Sequence, residues 1–209
     1  MFDRDISAVG ASAPTVAELY AQTQGQAKEM FEAKWQDNRE AHPHAIERWP
    51  HIDSLARQFD AVPAIIIGTG PSVVASLPKV AECRAQAITV ACPSAVKYAV
   101  AAGFVPTFTM FVEGTHVAPL VQAFPSTTNV VLDYKAHDSY YELPAMHRFV
   151  FGHMGDKVAE KARDLCARRT LLPPCPSTLG ACFSLAALMG CNPIVFVGAD
   201  FSFEGDAMH

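Results

Sequence analysis

From Ala64 onward, short apolar runs rich in β-branched residues alternate with stretches whose apolar positions recur every three to four residues. The runs Ala64 to Ile67, Ala87 to Ala91, Phe108 to Val112, Asn129 to Leu132, Arg148 to Phe151 and Pro193 to Val197 predict strands. Between them, Ser72 to Cys83, Pro93 to Ala102, Gly155 to Arg169 and Ser177 to Met189 predict helices. In the third, Val158, Ala162, Leu165 and Cys166 share an apolar face, while Lys157, Glu160, Lys161 and Arg168 face water. Strands that are apolar throughout belong to a parallel sheet covered on both sides. The expected fold is therefore α/β, a Rossmann-like, mostly parallel sheet with helices on both faces.

Residues 1–60 read differently, as an N-terminal helical preface to a Rossmann-like domain over 61–209. Val16, Leu19, Tyr20, Thr23, Ala27, Met30 and Phe31 follow helical steps from Thr15 to Trp35. A second helix is expected after Pro43, carrying Ile46, Trp49, Ile52, Leu55 and Phe59. Pro173-Pro174-Cys175-Pro176 reads as a stiff connector, and Ser177 after it as an N-cap.

Composition narrows the function classes. Half of the 209 residues are apolar and 18% are charged, enough to bury a substantial core. A net charge of -5 without a basic stripe argues against a reader of nucleic-acid backbones. The apolar runs all stop short of the roughly 18 residues a membrane span needs. Met1-Phe2-Asp3-Arg4-Asp5 is unlike a secretory signal, so a cytoplasmic location is expected. The six cysteines contain no C-x-x-C pair, and their apolar surroundings make them small buried hydrophobes rather than zinc ligands or a disulfide framework.

The strongest chemical signal is Gly68-Thr69-Gly70-Pro71-Ser72, which follows Ile65-Ile66-Ile67 directly and opens a helical pattern. Glycines let backbone approach an anion, Pro71 suits a first helical turn, and the free N–H groups of a helix start favour phosphate. Ser72 adds a hydroxyl donor. Val73 replaces the third glycine of the dinucleotide fingerprint, and no acidic residue ends the second strand, which disfavours NAD. The absence of G-K-[ST] disfavours P-loop chemistry. Glu113 and Asp200 also fall at the carboxyl ends of predicted strands, where open parallel sheets bind ligands. Each could hold Mg²⁺ beside phosphates, orient a ribose or act as a base. His116 and His153 follow strand ends as candidate substrate contacts, joined by Ser177. His42, His44 and His51 read as solvated surface.

The order of I-I-I-G-T-G-P-S, A-I-T-V-A-C-P-S-A-V-K-Y-A-V-A-A-G-F-V-P-T-F, F-V-E-G and S-T-L-G-A-C-F-S-L-A-A-L-M-G-C-N-P-I-V-F-V-G-A-D resembles the MptE-like family. That family includes archaeal 6-hydroxymethylpterin diphosphokinase and the motility-associated Maf flagellin glycosyltransferases of bacteria. The resemblance covers roughly Ala64 to His209. It implies that Gly68, Gly70, Pro71 and Ser72 line a nucleotide site, as in the similar G-x-G-P-S loop of bacterial sialyltransferases, and that Asp200 is the acid of a G-x-D motif. Glu113 stands where many members have Asp, and His209 falls near a histidine that often follows the G-x-D segment. Family members continue past this point, so the chain is expected to be C-terminally incomplete.

Three functions are open to such a chain. The first is a transferase moving a sugar from a CMP- or UDP-linked donor to a protein or glycan acceptor, with Glu113 or Asp200 activating the acceptor. The second is Mg-ATP-dependent diphosphoryl transfer to a hydroxymethylpterin stacked against Tyr98, Phe201 or Phe203. The third is a catalytically silent nucleotide-binding or assembly module.

Overall fold

The computed structural model describes residues 15, 32–38, 45–117, 124–156, 159–160, 170–175 and 177–202. The chain divides into two compact units, Met1–Ala33 and Lys34–His209. The second unit is built on a six-stranded sheet in the order β5-β4-β3-β2-β1-β6. The strands are β1 (Ala64–Ile67), β2 (Ile88–Ala91), β3 (Phe108–Phe111), β4 (Asn129–Asp133), β5 (His147–Phe151) and β6 (Ile194–Val197), and every neighbouring pair is parallel. The α/β architecture predicted from the alternating pattern is thus the observed one.

Strands β1 to β5 step across the sheet in one direction, and the chain then returns to lay β6 against the other side of β1. Parallel crossovers are right-handed almost without exception, so this reversal puts helices on opposite faces. Helix α1 (Val73–Cys83) and α2 (Val96–Ala101) belong to the outward steps, and α3 (Thr178–Leu188) to the return. Val73, Leu77 and Val80 bury one face of α1, with Pro78 on its exposed side. Along α3, Ala181, Cys182, Leu185 and Ala186 are buried, and the helix packs against β1, β2, β3 and β6. Of the helix expected at 155–169, residues 159–160 are described and helical; 157–158 and 161–169 lie outside the described residues. Of the helix expected at 15–35, residues 32–35 are described and helical and Thr15 is described and not helical; 16–31 lie outside the described residues.

The second predicted helix is broken. Ala45–Arg48 forms one turn, Pro50 interrupts it, and Ile52–Leu55 follows as a 3-10 turn. Proline has no N–H to continue a helix and steers the residue before it towards extended backbone. The extended piece is used by the sheet: Val150 N–H donates to the Pro50 carbonyl at 3.0 Å, and His51 bridges Val150 in parallel register. This corrects the reading of His51 as solvated. Its side chain is 7% exposed, sits 2.7 Å from Asp53, and caps the 3-10 turn.

The two sheet edges differ. The β5 edge carries the Pro50–His51 bridge, whereas β6 exposes Val195 and Phe196, with Phe196 stacked on Phe183 at 5.9 Å. No described helix is long and apolar enough to cross a membrane. Cys92, Cys182 and Cys191 are buried as expected, while Cys83 and Cys175 are only partly covered.

Candidate functional site

The strand order makes the gap between β1 and β6 a topological switch point, and the glycine loop leaves β1 there. Its glycines are required by contact with the loop that follows β6. A Cβ on Gly68 would lie 2.4 Å from the Gly198 carbonyl oxygen, and one on Gly198 2.8 Å from Val73 Cβ. Gly198 also adopts φ +64, a conformation that suits glycine. Gly68 N–H donates to the Val197 carbonyl at 2.9 Å and Gly70 N–H to the Gly198 carbonyl at 2.8 Å. The loops after β1 and β6 are therefore held against each other through their backbones.

At its mouth the Asp200 carboxylate sits over the start of α1. It accepts from Ser72 N–H at 2.8 Å and from the Ser72 hydroxyl at 2.7 Å. The hydroxyl and then the N–H hold the Asp200 carboxyl below its usual range, against a smaller opposing effect of desolvation. A Cβ on Gly70 would fall 2.4 Å from Asp200 Oδ2, so this glycine makes room for the carboxylate. The arrangement is that of an anion at a helix N-terminus, with the anion supplied by the protein itself. Both Ser72 and Asp200 are exposed. Beyond Asp200, Phe201 holds φ +49 and is 87% exposed, a rare pairing for an aromatic side chain.

Glu113 is elsewhere. It follows β3, three strand positions from β6, or about 14 Å at the usual strand spacing. Its loop turns towards β4: the Glu113 carbonyl accepts from His137 N–H at 3.0 Å, and its carboxylate from the Thr115 hydroxyl at 2.9 Å. His116 joins it. The rings of His116 and His137 lie 5.4 Å apart, with the Ser139 hydroxyl 2.9 and 3.0 Å from their Nδ1 atoms. Trp35 packs on Gly114 under Lys135, whose Nζ is 4.6 Å from the ring centre, and Asn38 donates to the Gly114 and Lys135 carbonyls at 2.8 Å each. Among the described residues no group of three His, Cys, Asp or Glu side chains is arranged to hold a metal ion.

His153 and Ser177 lie in a third place. His153 follows β5, is 8% exposed, and puts Nδ1 2.8 Å from Asp133 Oδ2 at the end of β4. Burial alone would lower its pKa, but the Asp133 carboxylate, helped by Cys175, overrides burial and raises it to about 9. Ser177 is the N-cap of α3 as predicted, its hydroxyl accepting from Gly180 N–H at 3.3 Å. The structure thus brings together the glycine loop with Asp200, and separately Glu113 with His116. Sequence reasoning missed Asp133, Lys135, His137 and Ser139. Asp133 carried the same signal as Glu113 and Asp200, an acid closing an apolar strand, but the predicted strand stopped one residue earlier.

The strand order defines an open, doubly wound α/β protein whose glycine loop lies at the switch point. Its family is shown by a family model described as 6-hydroxymethylpterin diphosphokinase MptE-like, which matches residues 39–206: the chain belongs to the MptE-like family. Among solved structures it is similar to one titled as a MAf glycosyltransferase from Magnetospirillum magneticum AMB-1, with a TM-score of 0.57 and 17% identity. That match covers 76% of this chain and 28% of the other, so the chain spans little more than a quarter of that protein's length. At this identity the likeness is one of fold. No curated protein matches the chain.

Proposed function

We propose that the chain binds a nucleotide-activated donor at the switch-point loop and serves a group transfer, most economically of a sugar from a CMP- or UDP-linked donor. The observation carrying this reading is the Ser72–Asp200 contact at the glycine cleft. A donor phosphate has the charge and acceptor oxygens to replace the exposed Asp200 carboxylate on Ser72 N–H and Oγ–H. Gly68, Thr69, Gly70 and Pro71 would give the phosphates close backbone approach. Displaced, Asp200 would be released beside the reacting group, available as a base. Phe201, exposed next to it, would stack the nucleobase.

Glu113 and His116 lie on the loop after β3, two strands from the glycine loop, and would suit the acceptor of the transferred group, a protein or glycan hydroxyl. A metal arriving with a nucleotide would meet the Asp200 carboxylate and the phosphates.

The family description supports a second reading, diphosphoryl transfer from Mg-ATP to a hydroxymethylpterin, with Phe201 as the stacking wall for the pterin. Product analysis separates the two. Release of CMP or UDP from a nucleotide sugar is the expected result; release of AMP from ATP plus hydroxymethylpterin would favour the second. Neither product, with nucleotide still bound, would leave the chain as a silent binding module.

A further inference from the structure

Away from the glycine cleft, a thiol, an imidazole and a carboxylate are assembled from three separate segments. Asp133 closes β4, His153 follows β5, and Cys175 lies in the proline-rich stretch leading into α3. Backbone pairing draws the segment that carries Cys175 alongside His153. Leu172 bridges His153, Leu172 N–H donates to the Gly152 carbonyl at 3.0 Å, and Met154 N–H to the Leu172 carbonyl at 2.9 Å. Cys175 comes three residues later.

The imidazole is committed on one side only. Nδ1 is on Asp133 at 2.8 Å, so Nε2 points away from β4, and this buried nitrogen has no hydrogen-bond partner among the described residues. The side chain is 9% exposed. An unpaired buried ring nitrogen costs free energy unless something meets it. The nearby group of suitable chemistry is Cys175, whose influence on His153, and that of His153 on Cys175, run in the directions of an ion pair. Burial would push the Cys175 thiol up, and His153 first, then Ser184, more than reverses this. Lys135 and the Asp133 carboxylate also face the ring, and Cys182 senses Cys175 from within α3.

Two further features suit a nucleophile. A Cβ on Gly180, in the first turn of the eleven-residue α3, would lie 3.5 Å from Cys175 Sγ, so the sulfur sits at the positive end of a helix. The thiol is also only partly covered, unlike Cys92, Cys182 and Cys191.

We propose that Cys175, His153 and Asp133 form a reactive-cysteine site whose substrate class is small hydroperoxides, with Cys175 as nucleophile, His153 as proton donor and Asp133 as the residue positioning His153. Sγ attacks the terminal peroxide oxygen and forms the S–O bond as the O–O bond breaks. Sulfur is oxidised to the sulfenic acid, the peroxide is reduced, and the departing oxygen takes the proton from His153 Nε2 to leave as water or an alcohol. An acyl substrate is less well served. The polar neighbours of Sγ are the Pro173 carbonyl at 3.1 Å and the Ser184 hydroxyl at 3.7 Å, which do not make a pair of backbone donors for an oxyanion.

The test uses the full chain and peptide mass spectrometry. Alkylation of Cys175 by iodoacetamide is followed from pH 6 to 8 beside a small-molecule thiol in the same buffer. The small thiol should accelerate roughly 75-fold over that range and Cys175 distinctly less, its thiol being held down by His153. Hydrogen peroxide with dimedone should label Cys175, and His153→Gln should cut that labelling about tenfold at pH 7, while Cys175→Ser confirms the assignment. A wild-type profile that tracks the small thiol, or a Cys175 inert to both reagents, would overturn the proposal. The wild-type profile needs no variant, so a poorly folded His153→Gln does not blunt the test.

Discussion

Asp133, the last residue of β4, and Asp200, in the loop that follows β6, both lie on the carboxyl side of the sheet, and both carboxyls are held below the ordinary range, yet by opposite means. Asp133 is 1% exposed; burial pushes it up, and Lys135 and His153 more than reverse that. Asp200 stands in solvent and is held by the Ser72 hydroxyl and N–H. A buried charge stripped of its partners has no water to replace them, whereas an exposed one exchanges its partners readily. The first carboxylate is part of the framework, and the second, on the proposed reading, is a gate for an incoming anion. One sheet therefore holds a fixed charge and an exchangeable one at the same edge.

The largest effect should come from breaking the fixed site. Asp133→Asn leaves His153 and Lys135 facing a neutral group and should cost about 3 kcal/mol or more, read by chemical denaturation. The pH dependence comes from the same pair. Because the His153 pKa is raised from 6.5 to about 9, its contribution is complete below pH 6.5 and is lost as pH rises through about 9. Asp133 behaves conversely, its contribution present above its unfolded pKa and lost as pH falls through the lower folded value. Stability measured against pH should thus fall by about 2–3 kcal/mol on the alkaline side, and His153→Gln should flatten that limb.

At the exchangeable site the two glycines separate. Gly68→Ala drives a methyl group into the Gly198 carbonyl, which is backbone and cannot yield, at a cost of about 1–3 kcal/mol. Gly70→Ala meets the Asp200 carboxylate at 2.4 Å, which can swing away, and the Asp200 backbone nitrogen at 2.9 Å, and should destabilise somewhat less. The smallest change in stability is expected for Asp200→Asn. Here the informative readout is binding: nucleotide affinity should hold or rise as the competing charge is removed, while turnover falls. Loss of affinity would make Asp200 a direct ligand rather than a gate.

Much of this architecture is legible in the sequence, and the exceptions have physical causes. Apolar runs located all six strands, because a parallel sheet buries both faces and leaves no alternation to misread. Nothing in the run Pro193 to Val197 says that β6 is an edge strand; its exposure at Val195 and Phe196 depends on strand order, which local pattern does not encode. The helical period from Ile46 to Phe59 was real as an apolar spacing, but Pro50 turned it into two short turns joined at the sheet edge. Gly68, Gly70, Ser72 and Asp200 were each visible as candidates. Their meeting was not, since the Ser72–Asp200 contact joins residues 128 positions apart. Cys175 was hidden for the opposite reason, inside a segment whose prolines read as a rigid connector.

Nucleotide binding at the glycine loop is tested without intermediaries by calorimetric titration of the chain with CMP, UDP and ATP, each with and without Mg²⁺, beside a Gly70→Val variant whose side chain intrudes on Asp200 at the start of α1. The wild type should bind a cytidine or uridine nucleotide and the variant should not, with folding unchanged by circular dichroism. No binding of any nucleotide by the wild type, or equal binding by Gly70→Val, would rule out the cleft as the donor site.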